Sequence, residues 1–298
     1  MNKISFSTLA LAGAVLVFSS CSKVGQLNEP EDDVLAKSLK HNAKECEAIA
    51  YNTTNLSDPS ANYLTFQKTV DPASSRVNHI KAGVYSITVQ EYLEMDLHWQ
   101  NNRVAFTSSS APSDTILIAN FDKKGLLKSI VPGNAPNENY LPTKFEYRDG
   151  KLSVMKIDFM GSELVSNFRY DRNGNITRIQ EQPFNGTDMG YVEYQYQNSA
   201  KANGQLYFDE PRGFSKNTFT LAEYLGWLPG LKPVNLRTHT KVVWEEGYEA
   251  HDVYYKNHVL DGAGNLVSYE VASSPNDDSY ERHQINWTCA PSKNNPKN

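Results

Sequence analysis

The chain has 298 residues, with 29 Lys and Arg against 34 Asp and Glu, and a formal net charge of −5 at pH 7. Mild acidity with scattered basic residues argues against phosphate-backbone binding, because nucleic-acid-binding proteins concentrate basic charge on one face, so no nucleic-acid partner is expected. The length allows one large all-β domain or two small domains with a sizeable core.

The first residues have the order of a secretory signal. Lys3 precedes an almost uncharged run over residues 4–18, which is too short to cross a bilayer as a permanent helix. The run ends in a Phe-Ser-Ser-Cys motif at Cys21, which resembles the lipoprotein box of Gram-negative bacteria. The resemblance implies that residues 1–20 are a signal peptide and that Cys21 takes a diacylglycerol.

The residues after Cys21 predict a cellular location and a tether. Ser22 stands where an Asp would resemble an inner-membrane retention signal, so we predict a lipid anchor in the outer membrane, facing either the periplasm or the cell surface. Residues 21–33 are polar, with an acidic cluster at their end, and predict a solvated tether. Residues 291–298 are predicted to be a disordered tail.

The spacing of apolar residues changes along the chain. Between Val34 and Ala50 they recur at intervals of three or four residues, which predicts a short N-terminal helix. From about Arg76 onward, β-branched and aromatic residues alternate with polar ones, as is typical of strands in a half-buried sheet.

One helical segment interrupts the strand pattern at residues 218–228. Leu221, Leu225 and Leu228 share one helical face there, and a Pro-Gly pair follows. Among hairpins, such a helix covers an apolar sheet face or plugs the end of a curled sheet.

A cassette recurs between the strands: an aromatic or apolar residue, polar residues that include Asp, a Gly, and then aliphatic residues. Its copies span residues 121–130, 147–152, 170–179 and 260–266. The predicted turn glycines are Gly125, Gly150, Gly174 and Gly264. The Asp-Gly and Asn-Gly pairs favour the positive φ angles of tight hairpin turns. The predicted fold is therefore mainly all-β, a long antiparallel meander in a curled or barrel-like sheet, forming one domain over residues 34–290.

The lipoprotein box, the cassettes, the inserted helix and the Leu-Lys-Pro-Val-Asn-Leu segment at 231–236 resemble an uncharacterised family of bacterial lipoproteins. That family is built as a long meander with a porin-like curled sheet, and the cassette is also similar to a diverged tyrosine-aspartate repeat. The resemblance covers about residues 75–289. It implies a fold and an envelope location, with no established activity or catalytic residues.

A curled meander raises the alternative of a transmembrane barrel, whose strands also alternate polar and apolar residues. Two features argue against a transmembrane barrel. Such barrels do not need the predicted acyl anchor. They also resemble one another in ending on an aromatic residue, whereas this sequence ends Asn-Asn-Pro-Lys-Asn. We expect the polar face to meet solvent and the apolar face to form the core.

Cys46 and Cys289 remain once Cys21 is acylated, and an exported compartment is oxidising enough for disulfides. A bridge would tie the first folded segment to the last strand. Two buried, unpaired thiols are the alternative, because two cysteines carry no spacing signature.

The sequence contains no Gly-x-Ser-x-Gly elbow, phosphate loop, dinucleotide fingerprint or His-Glu-x-x-His helix. His239, His251 and His258 lie close in sequence, but the last two are an odd number of places apart and would face opposite sides of a regular strand. We therefore predict no metal site. Glu245 and Glu246 adjoin a Gly and indicate a charged hairpin tip, not the paired carboxylates of a glycosidase.

These patterns predict a non-catalytic binding or assembly module of the cell envelope, without a cofactor. Besides the membrane, the candidate partners are an envelope glycan, a small apolar ligand or a protein. The 17 Tyr and four Trp could stack on such ligands, although strands favour aromatic residues for packing alone. The alternatives are a polysaccharide or peptidoglycan hydrolase and a purely structural lipoprotein. The sequence leaves the ligand and the oligomeric state open.

Overall fold

The computed structural model describes residues 46–289, apart from 59–61, 72, 86–89, 137–139, 160, 183–189, 208–215 and 245–250. In this part of the chain, sixteen antiparallel strands pair in chain order, and the first pairs with the last, so the sheet closes into a barrel. The predicted all-β meander is confirmed, and the sheet is closed. Cys21, the signal peptide, the tether and the tail lie outside the described residues.

The strands are β1 (Cys46–Asn55), β2 (Asn62–Asp71), β3 (Arg76–Tyr85), β4 (Gln90–Gln100), β5 (Arg103–Ser108), β6 (Ala111–Phe121), β7 (Leu127–Pro132), β8 (Thr143–Arg148), β9 (Lys151–Phe159), β10 (Ser162–Tyr170), β11 (Ile176–Gln182), β12 (Gly190–Lys201), β13 (Asn235–Trp244), β14 (His251–Leu260), β15 (Leu266–Ala272) and β16 (Glu281–Cys289). The described helix is α1 (Lys216–Tyr224), between β12 and β13. No described helix has the length and apolar character needed to cross a membrane.

The barrel has two ends with different connections, because successive strands run in opposite directions. At the basal end, where odd-numbered strands begin, lie all the cassette turns and the start of β1 at Cys46. At the distal end lie the connections from odd to even strands, such as residues 133–142 and 273–280. A disulfide joins Cys46 to Cys289 across the β1–β16 seam, with their Cα atoms 4.0 Å apart.

Apolar side chains point into the barrel and polar side chains point out. In β8, Thr143 and Phe145 are buried whereas Lys144 and Glu146 are exposed. The same alternation places the apolar core inside the closed sheet, as predicted, because a strand directs successive side chains to opposite faces.

Three of the cassettes build the same five-residue turn, in which the Asp carboxylate accepts the backbone N–H four residues later. These bonds join Asp122 to Leu126, Asp171 to Asn175 and Asp261 to Asn265, at 2.9, 2.9 and 2.8 Å. The glycine at the fourth position has φ of 79°, 96° and 82° in turn order. Asp149 and Gly150 instead form a two-residue turn with φ of 52° and 74°, the primed geometry that matches the twist of a hairpin.

Aromatic side chains, including the first residue of two cassettes, tie neighbouring basal turns together. Near the basal end, aromatic donors on even-numbered strands bond backbone carbonyls at the start of the preceding strand. The pairs are Trp99 to Val77, Tyr147 to Leu127, Tyr170 to Leu152, Tyr196 to Ile176 and Trp287 to Leu266. These hydrogen bonds join five pairs of adjacent strands near the basal end, and cassette residues donate two of them. Burial raises the pKa of Tyr147 and Tyr170, so both hydroxyls stay protonated donors.

The predicted N-terminal helix is wrong where it can be compared. Residues 46–50 begin β1, and residues 34–45 lie outside the described part of the chain. The helical spacing of apolar residues does not decide the structure here, because β1 closes the barrel. It pairs with β16 on one edge and β2 on the other, and it buries Tyr51 completely. The inserted helix is confirmed, although α1 ends at Tyr224, before the Pro-Gly stop.

Replacing Gly174 by Val tests the cassette turn. Its φ of 96° is strained for a β-branched residue, so we expect the free energy of unfolding to fall by about 1–3 kcal/mol in urea denaturation. Gly262→Ala is the matched control, because Gly262 lies in the equivalent turn after Asp261 with open space around it, and should change stability by less than about 0.5 kcal/mol. Equal effects of the two substitutions would refute the assigned turn geometry.

Candidate functional site

The described parts of the connection between β12 and β13, residues 202–207 and 216–234, pack against the inside of the barrel and are together called the plug. Tyr207 is buried against Tyr269 within the barrel. Thr218, in α1, bonds the carbonyl of Leu141 in a distal connection. The chain then returns to the basal end, where the Pro229 carbonyl accepts the N–H of Leu152. The helix predicted to cover or plug the sheet therefore lies inside it.

Trp227 is the main anchor of the plug in the apolar side of the core. Its ring makes edge contacts with Trp99, Phe106 and Phe121, at centroid distances of 5.8, 5.7 and 5.0 Å. Edge-to-face contacts of this kind add to the gain from burial alone. The plug is thus packed against β4, β5 and β6 as part of the core.

Two cassette turns contact the plug where it enters and leaves the barrel. At the entry, the N–H of Leu266 bonds the Gly204 carbonyl at 2.8 Å, and a Cβ on Gly204 would lie 2.8 Å from Oδ1 of Asn265. At the exit, Oδ1 of Asn175 accepts the N–H groups of Val234 and Asn235 at 2.7 and 3.0 Å. Both turns that follow the Asp-x-x-Gly-Asn pattern therefore contact the plug, as does Leu152 just after the Asp149-Gly150 turn.

These asparagines are themselves oriented by the cassette aspartates. Nδ2 of Asn175 donates to Asp171 at 2.8 Å, and Nδ2 of Asn265 donates to Asp261 at 3.0 Å. Burial alone would raise the pKa of each aspartate, but the hydrogen bonds from the asparagine side chain and the loop amides outweigh it. The pKa of both carboxyls therefore lies below its ordinary value.

A small pocket with a cavity volume of about 30 Å³ opens to solvent at the basal end, between the plug and the β1–β2–β16 wall. Its lining combines apolar side chains, such as Leu228 and Trp287, with the charged Glu47, Lys68 and Lys232. The lining mixes apolar and charged groups, but the cavity is far smaller than the roughly 300–1,000 Å³ of small-molecule sites.

Lys68 forms the charged floor of this pocket. Its side chain is only 2% exposed, and Nζ donates to Oε1 of Glu47 at 2.6 Å and to the Tyr224 carbonyl at 3.0 Å. That carbonyl ends α1, where backbone acceptors lack helical partners and a cation is favourable. Burial lowers the pKa of Lys68, and the pair with Glu47 opposes the shift. We therefore assign Lys68 to holding α1 against the wall.

Arg237 lies in an aromatic cage on the other side of the interior. It is 4% exposed, and its Cζ lies 4.3 Å from the ring centroid of Tyr194 and 4.6 Å from that of Tyr207. Tyr255 and Tyr196 flank it at 5.9 and 6.0 Å. Stacking on aromatic faces suits the weakly hydrated guanidinium, so the cage stabilises an interior cation.

A second polar group lies near the distal part of the same interior. Nδ1 of His283 is 3.2 Å from the hydroxyl of Tyr51 and 3.3 Å from Oγ1 of Thr53, and Tyr51 also bonds the Tyr269 hydroxyl. Nε2 of His283 lies 3.3 Å from Glu281. Buried polar groups that satisfy one another in this way fix the packing of an interior.

The three histidines considered in the sequence do not meet at a metal site. Nε2 of His239 bonds Asp252 at 2.7 Å, and His251 is exposed. His258 contacts the ring of Tyr269, and burial lowers its pKa. No cluster of three or more metal-ligating side chains occurs among the residues that the structure describes. Residues 245 and 246, the adjacent glutamates, lie outside them.

Asn175, Asn265 and Lys68 were not predicted from the sequence. The two asparagines could have been noticed, because they share the fifth position of the turn in two cassettes, whereas a third cassette has Leu126 at that position. Lys68 had none, because its burial depends on the carbonyl that ends a distant helix.

Neither a scan of protein-family models nor a search of curated proteins gives a match. Among solved structures, the chain is similar to a porin-like protein from Bacteroides vulgatus ATCC 8482, with a TM-score of 0.49 and 9% identity over 82% of this chain and 99% of that one. It is also similar to a porin-like protein from Bacteroides uniformis ATCC 8492, with a TM-score of 0.42 and 13% identity over 83% of this chain and 98% of that one. The assignment of a closed barrel rests on the strand pairing of this chain itself.

The Lys68–Glu47 pair gives a prediction on stability. Glu47→Gln leaves a buried ammonium without its counter-charge, so we expect the free energy of unfolding to fall by about 3 kcal/mol in urea denaturation. Glu94→Gln is the control, because Glu94 pairs with Lys81 on the exposed outer face, and should cost less than about 1 kcal/mol.

Adding Lys68→Met to Glu47→Gln should restore part of the loss, because the double variant buries no charge. A Glu47→Gln variant as stable as the Glu94→Gln control would contradict the role assigned to the pair.

Proposed function

We propose that this chain is a lipid-anchored envelope protein that acts as a non-catalytic binding or assembly module. The observation that carries the proposal is the filled interior: the plug and the inward apolar side chains occupy the space that an open barrel of this strand number would leave as a channel. A barrel with a packed interior cannot act through a channel, so its partners would bind its ends or its charged outer wall.

The outer wall supports a location beside the membrane instead of within it. Exposed or half-exposed ion pairs lie on it, including Lys81 with Glu94, Lys156 with Glu146 and Arg178 with Glu193. Charged side chains at the middle of a lipid-facing band are costly. A barrel of this kind needs a separate anchor, and the motif at Cys21 would supply it.

The described carboxyls give no support to the alternative of a glycosidase. A glycosidase needs one carboxylic acid whose pKa is raised so that it can protonate the leaving group. The described carboxyls whose pKa departs from its ordinary value all have it lowered. They are Asp71, Glu94, Asp96, Asp171, Asp261 and Glu270.

Replacing Cys21 tests the anchor. Cys21→Ser should abolish incorporation of labelled palmitate and release the processed protein from the membrane fraction, because only the thiol can be acylated by this route. The double variant Cys46→Ser with Cys289→Ser is the control and should keep its palmitate, since both thiols lie in a disulfide.

Palmitate labelling that survives Cys21→Ser would overturn the anchor.

Because the interior is filled, the purified protein should give no discrete conductance steps in planar bilayers. Reproducible channels would contradict the filled interior on which the proposal rests.

A further inference from the structure

The two ends of the barrel carry opposite exposed charge. Within two residues of a basal connection, the exposed charged side chains of the described chain are nine cations and one carboxylate, Asp149. The cations are Arg103, Lys123, Lys124, Lys128, Arg148, Arg169, Arg172, Lys201 and Lys232. By the same measure the distal end exposes five carboxylates and two cations. The carboxylates are Asp58, Asp158, Glu163, Asp277 and Asp278, and the cations are Lys144 and Arg282.

Three of the basal cations lie in cassette turns, whose geometry exposes them. Asp122 and Asp171 are half-buried because their carboxylates accept the amides of their own turns. Lys123, Lys124 and Arg172 occupy the turn positions between Asp and Gly, where the side chains are exposed. Each of these two turns thus directs its acid inward and its bases outward.

An apolar patch lies at the same end. Val234, Val259 and Leu260 are 36%, 51% and 39% exposed, and they account for three of the four large apolar side chains found exposed among the described residues. Val234 immediately precedes β13, and the other two end the adjacent β14. A basic surface with exposed apolar side chains is the composition of interfacial membrane contacts.

We propose that the basal end rests on an anionic membrane surface, where its cations bind lipid phosphates and the apolar patch enters the interface. The charge and the patch together favour this occupant, and the position of Cys46 at the same end agrees with it. The tether alone does not fix the orientation, because the 25 residues from Cys21 to Cys46 reach about 85 Å when extended. The orientation rests on the proposed anchoring, whereas the lipid contact is a property of the barrel itself.

The test uses unlipidated protein, so its outcome is separate from that of acylation. A chain beginning at Ser22 keeps every described core residue, since these lie between Ala48 and Ile285. We expect it to co-sediment with vesicles that contain phosphatidylglycerol and not with pure phosphatidylcholine vesicles, and to dissociate as NaCl is raised.

Lys123→Gln with Lys124→Gln should weaken partitioning onto the phosphatidylglycerol vesicles by about tenfold or more, since each basic residue near such a surface contributes about fivefold. Lys144→Gln with Arg282→Gln makes the same change of net charge at the distal end and should leave partitioning unchanged. Absent binding, equal binding to both kinds of vesicle, or equal weakening by both pairs would each overturn the proposal.

Discussion

The structure depends on filling a closed barrel of sixteen strands. Barrels of about eight strands are filled by their own wall side chains, whereas barrels of this size leave a channel unless something is inserted. Here the plug is inserted: Asn175 accepts two backbone N–H groups at its exit, and the N–H of Leu266 bonds the Gly204 carbonyl at its entry. With the plug in place, the apolar face of every strand can point inward, and the outer wall is free to carry charge.

Much of the fold follows from local pattern. Alternating apolar residues identify the strands from β3 onward, and the cassette glycines locate the basal turns because their positive φ angles are local requirements. The first strand was missed, since Cys46 and Ile49 happen to fit helical spacing, while the pairing of Cys46 with Cys289 depends on a residue more than 200 positions away. Closure of the sheet and insertion of the plug are likewise long-range events that periodicity does not encode.

The candidate site was less predictable for the same reason. The charge of Lys68 is indistinguishable in sequence from that of any surface lysine, yet it lies at the end of α1 beside Glu47. The polarity of the barrel ends is also hidden in a sequence with scattered charge. It emerges because antiparallel order collects every second connection at one end, so that a Lys-Lys pair at one turn and Arg172 at another share a surface.

Hydrogen exchange read by mass spectrometry tests the account most directly, on the full mature chain with Asn175→Ala and with Asn173→Ala as the control in the same turn. We expect faster exchange of the amides in residues 225–235 after Asn175→Ala alone, because Val234 and Asn235 lose their acceptor while the barrel strands stay protected. Unchanged exchange in the plug, or the same change in the control, would contradict the claim that this asparagine holds the plug inside the barrel.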